Sequence, residues 1–430
     1  MKKSIIILAL AIGVFGLLHA QSDTSSFSQK LAKYKIKASV GLQLWTTYTT
    51  NMEYFNAEQG RYEAVDNRLN TQLRRTRLTL KGQPYENLTF NLTASLDLVG
   101  KDVMAATEAG ANNGASPSFR VWNAFVQWRL LPKKEHLYLT AGYFAPQIGR
   151  ESITAALRST SMEKAWSQNY LRTHLTGIGP GRAMGLNLGG IIPTRQPGLQ
   201  FGYELGVFNP VFESLSGNST GNRFSPLTVG RATIDIGDPE NPQYSISHKI
   251  NYFGKRKGLT LGAAIARQGR TDLFHENRAA GMEVLLNYGP LNLDGDYYLL
   301  ERGMDASEVT GSFKTKGQTG YLRLSYNIDL PAKLVLEPVA MYWFYNGAMT
   351  AEEQERALEV KSFAGQDESL DIGANLYFNP DLKISLHYTL RWGDAGESEP
   401  GATFNNYFRQ SGLGAIRRGN WIGLGLIGIF

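Results

Sequence analysis

The sequence predicts an all-β protein, a transmembrane antiparallel β-barrel of about sixteen strands, with eighteen strands as the alternative. Three observations lead to this fold class. The chain begins with two lysines and a short apolar stretch, which is typical of exported proteins. Many segments of about ten residues alternate between apolar and polar side chains. The chain ends in an apolar strand, residues 420–430, whose exposed edge needs the partner strand that a closed barrel provides.

Residues 1–20 are expected to form a secretory signal peptide that is cleaved after Ala20. The apolar run from Ile5 to Leu18 is shorter than the roughly 20 residues that a helix needs to cross a bilayer, so a retained membrane helix is the weaker interpretation. Residues 21–34 then form a polar lead on the periplasmic side, and residues 35–430 form a single domain, the barrel.

The composition excludes several classes of site. The chain has no cysteine, which rules out disulfides and cysteine-based metal sites. Its 44 basic and 38 acidic residues are too evenly balanced to favour nucleic acid as a partner. The histidines beyond the signal peptide are scattered over separate segments, at His136, His174, His248, His275 and His387. We therefore expect no metal site, no cofactor and no catalytic site, since an outer-membrane hydrolase needs a base beside its nucleophile.

The clearest alternation lies in residues 73–82, LRRTRLTLKG. Arg75, Arg77 and Lys81 share one face, and leucines occupy the other. In the following segment Asp97 lies on the polar face, opposite phenylalanine and leucine side chains. Strict alternation over about ten residues is typical of a barrel strand with one face toward lipid and the other toward a water-filled lumen.

Later segments repeat the alternation and add aromatic residues near the strand ends. Residues 120–130 place Arg129 on the polar face and Trp122 on the apolar face. Five aromatic residues lie on the apolar face near predicted strand ends, namely Trp128, Tyr288, Tyr326, Phe378 and Trp392. This placement is that of an aromatic girdle, and it favours a membrane barrel over a soluble sandwich.

The predicted strands leave one inner connection that is too long. The strands are 35–47, 71–81, 87–98, 119–130, 136–144, 182–192, 198–208, 227–236, 258–268, 278–288, 290–301, 317–328, 333–344, 369–378, 381–392 and 420–430. Short inner turns alternate with long outer loops, except at residues 237–257, where a further alternating run from Tyr244 to Phe253 suggests eighteen strands. A barrel of either size is too wide to be filled by its own side chains and leaves an aqueous lumen.

The third outer loop is expected to fold into this lumen. It spans Pro146 to Gly181 and carries apolar side chains that would be poorly placed in water. Its basic residues would then lie at the narrowest point of the pore, where charged side chains set ion selectivity. These residues are Arg150, Arg158, Lys164 and Arg172. The alternative is a surface lid or an adhesive loop.

The inward face of the strands carries charges of both signs. The residues expected to line the lumen are Arg75, Arg77, Lys81, Arg129 and Asp97. Each of them is equally compatible with a solvated wall position or with an ion pair across the lumen. We therefore expect an anion preference only as a leaning.

Three blocks of sequence resemble the phosphate-selective porins, which are anion-selective trimeric porins of Gram-negative outer membranes. The blocks are LRRTRLTLKG at residues 73–82, VWNAFVQWRL with LYLTAGYFAPQIGRE within residues 121–151, and SMEKAW with GPGRAMGLNLGG within residues 161–190. The resemblance implies a homotrimeric sixteen-stranded barrel in outer-membrane lipid, with the third loop folded inward and with small hydrophilic solutes or inorganic anions as its partners. Of the arginine ladder of that family, Arg75, Arg77 and Arg129 lie on matching strands.

Two functions are compatible with these observations. The first is an outer-membrane porin for the passive diffusion of small hydrophilic solutes, with a leaning toward anions or phosphate. The second uses the barrel as an anchor for a scaffold, an adhesin or a component of a secretion system. A plugged lumen would distinguish the second function from the first.

Overall fold

The computed structural model describes residues 29, 31–105, 117–210, 222–307, 311–397, 408–410 and 414–430. Within these residues, sixteen strands form one closed antiparallel barrel. The expected signal peptide lies outside the described residues, so its cleavage stays a prediction. Among the described residues, no helix is long and apolar enough to cross a membrane.

The barrel strands follow one another in chain order around the wall. They are β1 (Lys37–Thr50), β4 (Arg68–Tyr85), β5 (Leu88–Ser95), β6 (Arg120–Arg129), β7 (Tyr138–Phe144), β8 (Ala183–Pro193), β9 (Leu199–Asn209), β10 (Leu227–Gly237), β11 (Lys257–Gln268), β12 (Glu276–Tyr288), β13 (Leu291–Ser307), β14 (Gly311–Tyr326), β16 (Val335–Asn346), β17 (Gln366–Asn379), β18 (Leu382–Asp394) and β21 (Asn420–Ile429). The two-residue strand β15 (Ile328–Asp329) continues the line of β14 along β16.

The barrel is closed by the pairing of its first and last strands. Leu44 of β1 lies opposite Leu426 of β21, and the other edge of β1 pairs with β4. The last strand therefore has no free edge, as the apolar end of the sequence required. The expected count of sixteen strands is confirmed.

The alternative count of eighteen strands is wrong, because residues 238–256 form an irregular segment. Pro239 and Pro242 lie at its start and have no backbone N–H to give to a strand ladder. Its only backbone bridge is an isolated parallel one between His248 and Thr154. We call this segment, which joins β10 to β11 at the periplasmic end, the inner connection.

The two faces of the wall follow the predicted alternation, with one exception. The five aromatic residues assigned to the girdle are all exposed on the outer face, with 42% to 67% of their surface accessible. Trp122, predicted on the same face, points inward. The pairing of β5 with β6 shifts between Asn123 and Val121, so Trp122 is the extra residue of a β-bulge, and a bulge changes the direction of a side chain.

Three α-helices are described, and two of them belong to the third loop. They are α1 (Arg150–Ile153) and α2 (Ser167–Thr176) in this loop, and α3 (Ala351–Glu359) between β16 and β17, while short 3-10 turns lie at Val103–Ala105, Ala156–Arg158 and Pro331–Lys333. The N-terminus of α3 is capped by the Thr350 hydroxyl, which accepts a hydrogen bond from the Glu353 backbone N–H.

The third loop contacts inward-facing side chains on strands far apart in the wall. The backbone N–H of Gly149 donates to the Tyr298 hydroxyl at 3.1 Å, and the Gln43 amide donates to the carbonyl of Met162 at 3.0 Å. The ring of Tyr170 on α2 stacks on Tyr345 of β16 with centroids 4.0 Å apart. These contacts hold the loop against β1, β13 and β16, and they leave the wall of β4 to β7 open to the cavity described below.

A second, smaller sheet joins the first outer loop to the last one. Its strands are β2 (Met52–Asn56), β3 (Arg61–Val65), β19 (Phe408–Gln410) and β20 (Gly414–Arg417), in the order β19, β20, β2 and β3. The sequence had suggested only loops at these positions. Ile416 of β20 is fully buried beside Met52, so the sheet has a small apolar core of its own.

Candidate functional site

A cavity of about 820 Å³ lies inside the barrel between the wall of β4 to β7 and the third loop. Among the described residues that line it, eleven are basic and two are acidic. The basic residues are Arg74, Arg75, Arg77, Lys81, Arg120, Arg158, Lys164, Arg172, Arg182, Lys249 and Arg418, and the acidic residues are Asp97 and Glu163. Charges of both signs are thus mixed along the strands as a whole, whereas the cavity has a strong local excess of positive charge.

Two consecutive arginines of β4 point into the cavity. The pairing of β1 with β4 shifts between Gln43 and Leu44, which leaves Arg74 as the extra residue of a bulge beside Arg75. Both guanidinium groups bind Glu163 of the third loop, and the one on Arg74 does so at 2.7 and 2.8 Å. Burial alone would raise the pKa of Glu163, but the charges of Arg74 and Arg75 outweigh it and lower this pKa to about 2.

The bulged Trp122 lies between two further arginines of the cavity. The guanidinium of Arg77 is 4.1 Å from the centre of the Trp122 ring, and that of Arg182 is 3.8 Å from it. Arg77 also binds the carboxylate of Asp97 at 2.5 and 3.1 Å. Contact with the indole ring holds the planar guanidinium group in one orientation.

Arg172 and Arg182 are neighbours, and neither has a carboxylate within ion-pair distance among the described residues. Arg172 donates to the carbonyl of Ser152 at 2.7 Å, Arg182 donates to that of Pro180 at 2.5 Å, and within the described part of the chain neither forms an ion pair. Gly181, at a φ of 65°, permits this close approach, since a Cβ there would lie 2.4 Å from Cγ of Arg172. Burial and neighbouring charge lower the pKa of both, that of Arg172 to about 10.

Lys164 and Arg158 lie at different depths of the cavity wall. Lys164 is buried and donates to the backbone carbonyls of Glu151 and Thr154, the second at 2.8 Å. Burial and the charge of Arg172 hold its pKa well below that of an ordinary lysine. Arg158 is partly exposed and reaches the periplasmic turn, where it donates to the carbonyl of Pro380 at 2.6 Å and pairs with Asp381.

Arg150, one of the four residues expected at the constriction, does not line the cavity. Its side chain is fully buried and donates two hydrogen bonds of 2.7 Å to Glu240 of the inner connection. Burial would lower the pKa of Arg150, but the charge of Glu240 raises it. The charge of Arg150 is neutralised by Glu240 and lies outside the lining of the cavity, which favours a structural role over the expected place at the constriction.

Of the residues expected to line the lumen, four lie at the cavity and one lies outside it. Arg75, Arg77, Lys81 and Asp97 line the cavity. Arg129 lies outside it, near the periplasmic end of β6, between Glu135 at 3.6 Å and Glu86 at 4.0 Å. The sequence reasoning missed Arg74, Trp122 and Arg182, because the two bulges and the end of the third loop bring them into the cavity.

The comparisons with known proteins agree with this fold. The sequence matches the family of phosphate-selective porins O and P over residues 47–403. The outer membrane channel DcaP of Acinetobacter baumannii is similar in structure, with 12% identity, a TM-score of 0.50 and coverage of 92% of this chain and 97% of that chain. The anion-selective porin from Comamonas acidovorans has 11% identity, a TM-score of 0.50 and coverage of 92% and 100%.

At such identities these two structures show the fold alone, and no curated protein matches the chain in sequence. The family assignment rests on the match over residues 47–403, which spans most of the chain, and it agrees with the closed sixteen-stranded barrel. The chain therefore belongs to the phosphate-selective porin family and is a porin of the bacterial outer membrane, through which small hydrophilic solutes diffuse passively.

Proposed function

We propose that this porin favours anions, and that the third loop stands in the lumen and narrows it. The excess of eleven basic over two acidic residues around the cavity carries the proposal. A narrow passage lined by one sign of charge raises the local concentration of ions of the opposite sign and repels the others. Because the low-dielectric wall of the barrel focuses this field, a chloride or phosphate ion enters more readily than a potassium ion.

The charges that set this preference come from both sides of the passage. Arg158, Lys164 and Arg172 belong to the third loop, and Arg77 faces them from β4. Glu163 is the main opposing charge on the loop, and it is shared by two arginines. The constriction in this proposal is therefore a set of cations. One of them, Arg172, has no acidic partner among the described residues.

Single-channel recording in a planar bilayer tests the proposal. Discrete open steps, with a reversal potential that favours anions in a KCl gradient, are the expected result. A folded barrel that passes no current would contradict the channel and support the scaffold, adhesin or secretion role instead. Current without ion preference, or with a cation preference, would contradict the anion leaning alone.

The proposal assigns no enzymatic activity to the chain. The His387 ring bonds to Asp371 at 2.7 Å, whereas the hydroxyl of the neighbouring Ser385 donates to Asn375 at 2.6 Å. The histidine and the serine therefore have separate partners, which does not support nucleophilic catalysis. We further propose a homotrimer in outer-membrane lipid, in line with the resemblance to trimeric porins, and native mass spectrometry from detergent would test it through the mass of the assembly.

A further inference from the structure

The basic cavity also has an apolar wall, which a path for inorganic ions does not need. Phe125, Trp166, Ile246 and Phe363 are partly exposed and line the cavity, and each of them packs on the buried aromatic core behind it. Trp122 lines the cavity beside them. Contact between apolar surface and the water of the passage is unfavourable, so a solute that covers this surface gains binding free energy.

One sector of the wall brings this apolar surface next to two cations, Arg172 and Arg182, that form no ion pair among the described residues. The Phe125 ring on β6 packs edge-on against Phe144 of β7 at 5.7 Å, and Phe144 packs against Phe208 at 5.3 Å. Beside them, Arg182 rests on Trp122. This arrangement fixes an aromatic surface and a guanidinium in neighbouring positions, so that one solute can contact both.

The guanidinium groups of this sector have hydrogen-bond donors to spare. Arg172 and Arg182 are each 8% exposed. The Nε atoms of both are buried without a hydrogen-bond partner among the described residues. A carboxylate or a phosphoryl group offers two neighbouring oxygens and the negative charge that such forks bind best.

We propose that the cavity binds organic anions that combine one acidic group with an aromatic body. The acidic group lies on Arg172 and Arg182, and the aromatic body lies against Phe125 and Trp122. The volume of about 820 Å³ is ample for such a solute. This inference rests on the anion leaning proposed above, and it adds the class of substrate that the passage favours.

The test compares two monoesters of equal charge, phenyl phosphate and methyl phosphate, as blockers of the KCl current through single channels. The aromatic contacts predict that phenyl phosphate reaches half-block at a concentration about tenfold lower. Phe125→Ala is expected to remove most of this difference while leaving the block by methyl phosphate unchanged. The double variant Arg172→Gln/Arg182→Gln is expected to weaken the block by both esters.

The outcomes separate this inference from the anion leaning on which it rests. Equal block by both esters in the unmodified porin overturns the aromatic site and leaves the anion preference standing. Absence of block together with a reversal potential that favours cations overturns both. Since the comparison of the two esters uses the unmodified porin, it tests the aromatic site even where a variant fails to fold.

Discussion

The guanidinium of Arg150 donates two hydrogen bonds of 2.7 Å to the carboxylate of Glu240, and both side chains are buried. Arg150 belongs to the third outer loop and Glu240 to the inner connection, so the pair joins two segments that leave the wall at opposite ends of the barrel. Glu240 also accepts a hydrogen bond of 2.8 Å from Nδ1 of the His248 ring. The cavity wall formed by these segments depends on this junction.

Replacing Glu240 is expected to loosen the third loop. Glu240→Gln leaves the buried guanidinium of Arg150 without a counter-charge, which costs about 3–5 kcal/mol. The urea midpoint of the folded barrel should fall, and the open-channel current should become noisier. The matched control is Glu86→Gln, because the Glu86 side chain is 83% exposed and 4.0 Å from Arg129, and such pairs contribute at most about 1 kcal/mol. Equal effects of the two substitutions would argue against the junction.

Neutralising Glu163, the acidic residue of the proposed constriction, should strengthen the preference for anions. Glu163→Gln takes away the negative charge that Arg74 and Arg75 share, so the net charge of the cavity becomes more positive. The reversal potential in a KCl gradient is expected to move further toward anions. Glu301→Gln, on the outer side of β13 where Glu301 pairs with Lys314, serves as the control and should leave the potential unchanged. A shift toward cations at Glu163 would count against the proposed constriction.

The anion preference should depend on pH through Lys164. Its pKa lies well below that of an ordinary lysine because of burial and the charge of Arg172. Lysine is charged below its pKa, so raising the pH through this lowered value removes a positive charge and weakens the preference. Lys164→Arg keeps the charge at this position to higher pH and should give a flatter profile. Reversal potentials measured over a pH series check this, and identical profiles for the two proteins would refute the role of Lys164.

The closure of the barrel is open to a cross-linking test, because the natural chain has no cysteine. Leu44 and Leu426 lie directly opposite each other on β1 and β21, so the double variant Leu44→Cys/Leu426→Cys should form a disulfide under oxidising conditions. In the control, Leu44→Cys is combined with Ile384→Cys on β18, which lies opposite Leu426 on the other side of β21. That pair is about 10 Å apart at the strand spacing of a sheet and should keep free thiols. Thiol titration distinguishes the two, and free thiols in the first variant would mean that the first and last strands do not pair as described.

The alternation of side chains was sufficient to predict the wall of the barrel. It identified the sixteen strands, the exposed girdle residue Trp392 and the inward positions of Arg75 and Arg77. Such a prediction works because one residue of slippage would move every apolar side chain of a strand from lipid to water. The same rule explains the failure at Trp122, since a bulge breaks the alternation locally and leaves no clear mark in the sequence.

The interior of the barrel was less predictable, because it depends on contacts between distant segments. A count of charges on the third loop cannot distinguish Arg150, which is neutralised by Glu240, from Arg172, which has no acidic partner among the described residues. Likewise, the run from Tyr244 to Phe253 alternates as a strand would, yet its partners are inward side chains such as Glu204, to which the Tyr244 hydroxyl donates at 2.6 Å. Tertiary contacts decide both cases.

The reversal potential of the unmodified porin in a KCl gradient, compared with that of Arg158→Gln/Lys164→Gln/Arg172→Gln, tests the central claim most directly. An anion-favouring potential that moves toward zero in the triple variant, with discrete open steps in both proteins, is the predicted result. A potential that favours cations, or one that is the same in both proteins, would contradict the account of an anion-leaning passage set by the third loop.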